Sequence, residues 1–248
     1  MADWTDIIGW IVAGTITLIG VVLASKLMET RQNRINDLER VFRPILKKVK
    51  AEITTAENKM NKPENLSFWS LHYELADFIK TGELLSIRHT PLRKDVERLI
   101  ELSDKAKDEE EKLLTQITNL IEEKKKKIFK ESPSYQTELD SSSLNSCIRL
   151  LPPALIKGEN SHLLKNLKFF WQTGNLGGNR TLTDKVIIDI FNEINPIIEK
   201  QRGEFRQSIR SVLRFGQAID EHLTLSISKD GKRYESGVER ISSSLSDD

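Results

Sequence analysis

Cysteine is nearly missing from this 248-residue chain: Cys147 stands alone. One cysteine excludes an internal disulfide framework, and the usage agrees with a reducing compartment. It also excludes a C-x-x-C metal knuckle. No H-E-x-x-H pair occurs among the four histidines, His72, His89, His162 and His222. His72-x-Glu74 matches half of a zinc-deaminase signature, but the cysteine pair that completes it is missing. No metal or cofactor is expected.

Other catalytic signatures are missing too. There is no G-x-S-x-G elbow. The glycine-rich run Gly174 to Arg180 (GNLGGNR) fails as a phosphate loop, because Asn179 and Arg180 stand where the second glycine and the lysine belong. It reads as an interhelical loop. Asp108 to Glu111 followed by Lys112 has the composition of a nuclease motif, but its surroundings are helix-like and such a motif needs a strand scaffold. These charges, and the Lys124–Lys127 run, read as solvated faces with i,i+4 pairs. No catalytic residue is assigned.

Charge is absent from Ile7 to Ser25 (IIGWIVAGTITLIGVVLAS). As a helix this stretch spans roughly 28 Å, close to the ~30 Å hydrocarbon core of a bilayer. A signal peptide would have a basic start and a shorter apolar region; here Asp3 and Asp6 precede the run and no basic side chain does. A soluble core helix is disfavoured because the run is apolar on every face.

Behind the run come Lys26, Arg31, Arg34, Arg40, Arg43, Lys47, Lys48 and Lys50. Basic flanks are retained on the cytoplasmic side, so the N-terminus is expected outside and the remainder in the cytoplasm. The same eight residues suit anionic lipid headgroups. The rest of the chain is close to neutral, which does not fit a nucleic-acid-binding domain.

Within the apolar run, Gly9, Ala13, Thr17, Gly20 and Ala24 share a face about 80° wide at 100° per residue. Small residues on one face let membrane helices approach closely, and Gly20-x-x-x-Ala24 is a small-xxx-small pair. No Gly or Pro occurs between Val21 and Phe42, so the helix is expected to continue as a stalk. There Ile35, Leu38, Phe42, Ile45 and Val49 recur at steps of three and four on the same angular face. This seam serves a coiled coil or packing against the protein's own soluble domain; the short run favours the latter. Pro44 is expected to kink it.

Downstream, the turn Asn61 to Asn65 leads to a helix to about Lys80 carrying Phe68, Leu71, Leu75, Phe78 and Ile79. Thr90-Pro91 starts a helix reaching about Phe129, with Ser103 to Lys112 polar all round. That polar stretch reads as either an exposed bridge or a break between two helices. Residues 130–143 read as a mobile, Ser/Pro-rich loop. A short helix at Leu144–Leu151 should end at Pro152-Pro153, and Ser161 should cap another carrying Leu163, Leu164, Leu167, Phe169, Phe170 and Trp171. Thr181 or Thr183 should cap the next, which Pro196 kinks or splits before the pattern runs on to about His222. Leu223 to Tyr234 alternates around Asp230-Gly231, either as a short hairpin or as a fraying helix end.

The layout expected is therefore a short extracytoplasmic segment (1–6), a transmembrane helix (7–25), a basic juxtamembrane stalk (26–60), a helical cytoplasmic domain (61–240) and a disordered tail (241–248). The fold class is mainly α, with five to seven helices in the soluble part. The leading functional expectation is a non-enzymatic, membrane-anchored interaction or assembly module that self-associates or binds a helical protein partner. An oligomeric membrane-perturbing effector, such as a prokaryotic defence protein, is the alternative. A tethered hydrolase or nuclease comes third.

Overall fold

A computed structural model describes residues 4–61, 89–174 and 176–228. All its regular elements among these residues are helical, with no strand. They are α1 (Trp4–Asp37), a π turn (Leu38–Phe42), α2 (Arg43–Asn61), α3 (Thr90–Glu131), α4 (Tyr135–Glu138), α5 (Ser141–Ile148), α6 (Leu151–Lys157), α7 (Asn160–Gln172), α8 (Arg180–Ile194) and α9 (Glu199–Ser228). The helix expected between the Asn61 turn and Lys80, His72 within it, and the tail from 241 lie outside the described residues.

The N-terminal helix is long and apolar enough to cross a membrane by length and composition, a property that membrane spans and signal sequences share. From Val12 to Asn61 it continues for 50 residues through the π turn. The expected kink at Pro44 takes the form of that turn. Proline has no N–H and its ring collides with the carbonyl four residues back. The chain answers by widening just upstream, where Arg43 N–H donates to the Leu38 carbonyl five residues back.

By chain contacts the molecule divides into two compact units. Among the described residues the first holds 4–50, 89–96 and 217–228, and the second 51–61, 97–174 and 176–216.

In the second unit the core follows from helix periodicity. Buried residues on α3 recur as Leu99, Ser103, Ala106, Glu110, Leu113, Ile117 and Ile121. On α9 they recur as Arg202, Phe205, Ile209, Val212 and Gly216, and on α2 as Glu52, Ala56 and Lys59. Steps of three and four keep one stripe facing inward along each helix. Glu52 neighbours Ser103 and Lys59 bonds Glu110, both pairs at the same sequence offset, so α2 and α3 run in the same direction here. Gly216 approaches Leu99 while Glu204 acts on Lys112, so α9 runs opposite to α3.

The polar stretch Ser103 to Lys112 is thus neither an exposed bridge nor a break. α3 is one helix of 42 residues, and three of the ten residues in that stretch are core positions. Polar residues occupy seam positions there, which hid the stripe from a reading based on apolar spacing.

Three further readings are corrected, and of the two readings of Leu223 onward the helix end holds for 223–228. Residues 130–143 contain the end of α3, all of α4 and the start of α5, because Asp140 caps α5 by accepting from the Ser142 and Ser143 N–H groups. Pro152 and Pro153 open α6 rather than close a helix, since first-turn prolines forfeit no helical bond. Asn179, not Thr181 or Thr183, caps α8, accepting from Leu182 N–H at 3.1 Å. Residues 223–228 are helical, not a hairpin strand: Leu223 and Ser226 continue the buried stripe after Ile219 while Leu225 stays exposed. Asp230-Gly231 lies outside the described residues.

Around this seam α5, α6 and α7 pack on α8. The last carbonyls of α6 are satisfied by α9. Arg202 donates to Leu155 O at 3.1 Å, and Arg206 donates to Ile156 O and Lys157 O at 3.1 and 2.7 Å. Cations at a helix C-terminus also complement its dipole. Gly158 ends α6 at φ 72°, a left-handed conformation that favours glycine, and a Cβ there would meet the Arg202 guanidinium at 2.8 Å.

Candidate functional site: an unburied apolar helix and its junction

The most exposed apolar surface lies on α1. Trp10, Val12, Ile16, Leu18, Ile19, Val21, Val22, Leu23, Leu27 and Met28 are all exposed, and the apolar window is wholly unburied. Soluble monomers rarely expose contiguous apolar surface beyond a few hundred Å². Three hydroxyls of this helix are turned back on its backbone. Thr17 Oγ1 donates to Ala13 O at 2.8 Å, Ser25 Oγ to Val22 O at 3.0 Å, and Thr30 Oγ1 to Lys26 O at 2.7 Å. Internal satisfaction of this kind is what an apolar solvent requires.

Of the residues read as a small-residue face, Ala13, Thr17, Gly20 and Ala24 are exposed, and Gly9 lies in the first turns of α1. A Cβ added at Gly20 would meet nothing within 4 Å, so no packing among the described residues accounts for that glycine. The basic flank is open: Lys26, Arg31, Arg34, Arg40, Arg43, Lys47 and Lys50 are exposed and Lys48 is half-buried. Arg43 pairs with Glu39 at 2.8 Å, and Lys50 lies 3.6 Å from Asp220.

The stalk seam divides. Ile35 is exposed and Leu38 half-buried, whereas Phe42, Ile45 and Val49 are fully buried. In the same unit His89, just ahead of α3, stands against the π turn. Its Nε2 lies 3.4 Å from Asp37 Oδ2, and its ring meets Phe42 edge-on at 5.0 Å between centroids. The sequence reading missed this junction; 52 residues separate His89 from Asp37, and no local pattern announces the pair.

In the second unit, an open groove of about 680 Å³ is lined by Asp108, Glu111, Lys112, Thr115, Gln116, Asn119, Leu120 and Glu123 of α3 with Gln201 of α9. Lys112 is tied to Glu109 at 2.9 Å, which raises its pKa. No cluster of three or more potential metal ligands exists among the described residues. Cys147 is buried, and burial pushes its thiol up to about 11, away from nucleophilic reactivity. The glycine loop is docked rather than open: Gly177 N–H donates to Ser143 Oγ at 2.7 Å, and a Cβ at Gly178 would lie 2.9 Å from Asp140 Cβ. Trp171 Nε1 donates to Asp184 Oδ1 at 2.9 Å, fixing α7 to α8.

The sequence reading also missed the buried polar positions. Glu52 is fully buried, and neither carboxylate oxygen has a hydrogen-bond partner among the described residues. Extending the three-four spacing of α3 through its polar residues would have located this layer. Comparison with protein-family models, with curated proteins and with solved structures finds no match.

Proposed function

We propose that the chain is a membrane-anchored helical interaction protein. α1 crosses the bilayer with its N-terminus outside, and the helical remainder lies on the cytoplasmic side. The reading is supported chiefly by one observation, the wholly unburied apolar helix whose Thr17 and Ser25 hydroxyls bond back onto its own backbone. The exposed basic flank supports the orientation and a contact with anionic headgroups. Self-association runs through Gly9, Ala13, Thr17, Gly20 and Ala24, where Gly20 has open space beside it.

Two measurements test this. Carbonate extraction of membranes should leave the chain in the pellet, and release into the supernatant refutes anchoring. Crosslinking in membranes should give a dimer or higher band that Gly20→Ile abolishes. An unchanged band pattern in that variant refutes the small-residue face.

A further inference from the structure

The π turn joins an exposed helix to a buried stripe, and one side chain touches both of its ends. Asp37 immediately precedes the turn and Phe42 closes it. His89 contacts both: its Nε2 approaches Asp37 Oδ2 to 3.4 Å without forming a hydrogen bond, and its ring packs edge-on against Phe42. In an α-helix, residues five apart are about 140° apart around the axis, at 100° per residue. In a turn closed by a bond to the fifth residue back, the extra residue adds no net rotation, so they lie on one side of the helix, about 40° apart. The π winding thus places Asp37 and Phe42 on the side where His89 contacts both.

We infer that the π turn is a torsional joint and that His89 is the latch holding it. Two features favour the wide winding. Pro44 forbids the ordinary bond to Arg40 O. His89 bridges the two ends of the turn, with its own side chain 9 % exposed and that of Asp37 15 % exposed. If the latch releases and the turn rewinds as α, the one surplus residue is taken up and α1 rotates by about 100° relative to α2. A rotation of that size exchanges one face of α1 for another. Its consequence for helix association rests on the self-association proposed for α1; the joint itself does not.

The test reads the joint inside one chain. Glu29 and Lys47 are exposed on either side of the turn. Cysteines at both, in a Cys147→Ser background, carry spin labels, and the labelled protein is diluted into unlabelled protein so that only intrachain distances count. Deletion of Arg40 removes the surplus residue, so the turn closes as α with α1 and α2 in their wild-type orientation, and it supplies the unrotated reference. The Pro44→Ala/His89→Ala double variant is expected to move its main distance away from the value that wild type and the deletion share. His89→Ala alone is expected to populate both distances. Circular dichroism and a cooperative melt establish that each variant is folded, with Pro44→Ala alone as the second line should the double variant fail to fold. A wild-type distance in the folded double variant, or in folded Pro44→Ala/His89→Gln if the alanine pair unfolds, overturns the latch. A deletion whose distance departs from wild type overturns the joint. Neither outcome depends on whether α1 associates, which crosslinking reports separately.

Discussion

Lys59 Nζ donates to Glu110 Oε1 at 2.7 Å with both side chains more than nine-tenths buried, a charge pair inside the seam of α2 and α3. Burying two charges is costly, and their attraction offsets the cost only while both are present. Lys59→Met alone should destabilise by about 3–5 kcal/mol, because it strands a buried carboxylate. Lys59→Met with Glu110→Leu should recover most of that loss. Urea unfolding of the two singles and the double, as a double-mutant cycle, gives the coupling. Additive losses would mean the pair acts as two independent sites.

Glu52 sits two helical turns before Lys59 on the same seam, with no hydrogen-bond partner for its oxygens among the described residues. Burial pushes its carboxyl above the usual carboxylate range, Asp104 adds to the rise, and the nearby Ser103 hydroxyl opposes it. A group raised in the folded state favours folding fully below its unfolded pKa, and that contribution is lost as pH rises through the folded value. The protein should therefore lose stability on going from acid to neutral pH through this residue. Glu52→Gln should flatten that fall and raise the melting temperature at neutral pH. Melts across the range from pH 4 to 8 (about the span between carboxylate and neutral conditions) check it; parallel curves for both proteins would remove Glu52 as the cause.

Two glycines of α9 should respond in opposite directions. At Gly203 an added Cβ meets nothing within 4 Å, so Gly203→Ala should stabilise by about 0.5–1 kcal/mol through helix propensity. At Gly216 it would lie 2.8 Å from Ile53 Cγ1 and 3.4 Å from its Cδ1. Gly216→Ala should cost about 1–3 kcal/mol from overpacking, less what propensity returns. Ile53→Ala combined with Gly216→Ala should lose less than the sum of the two. Thermal denaturation of all four variants decides it.

Asp140 is held at about 2 by the hydroxyls of Ser143 and Ser142 and by their backbone N–H groups. A lowered carboxyl contributes stability above its unfolded value, lost as pH falls through the folded one. Asp140→Asn keeps an acceptor for the cap and should chiefly weaken the acid dependence. Asp140→Ala removes the cap and should lower stability at neutral pH as well. Equal melting temperatures for the two variants at neutral pH would count against the capping role.

The apolar run of α1, the proline split between α8 and α9 and the interhelical loop starting at Gly174 were legible because each depends on neighbouring residues alone. Ser103, Glu110 and Glu52 were not, because a polar residue at a seam position reads as surface until its partner helix is known. Residues 130–143 misled for a related reason: serines suggest a loop, yet after Asp140 they form the first turn of a helix, where their N–H groups need its acceptor. The alternation at 223–228 matched a strand by eye, while Ile219, Leu223 and Ser226 kept helical spacing. The continuity read between the small-residue face and the stalk seam assumed uniform 100° steps. The π turn breaks that assumption, which is why Ile35 and Phe42 end in different environments.

The same layout sets an order of assembly. In the first unit Lys50 meets Asp220, and in the second Ile53 meets Gly216, contacts between residues far apart in sequence. At roughly 5–20 residues per second, α9 leaves the ribosome roughly 10–30 s after α2. Over that interval Ile53 lacks the close approach of Gly216 on α9. The nascent chain thus carries an unfinished apolar stripe immediately behind its most apolar segment, and truncations that remove α9 should be cleared by proteolysis or held by chaperones rather than accumulate as a smaller folded protein.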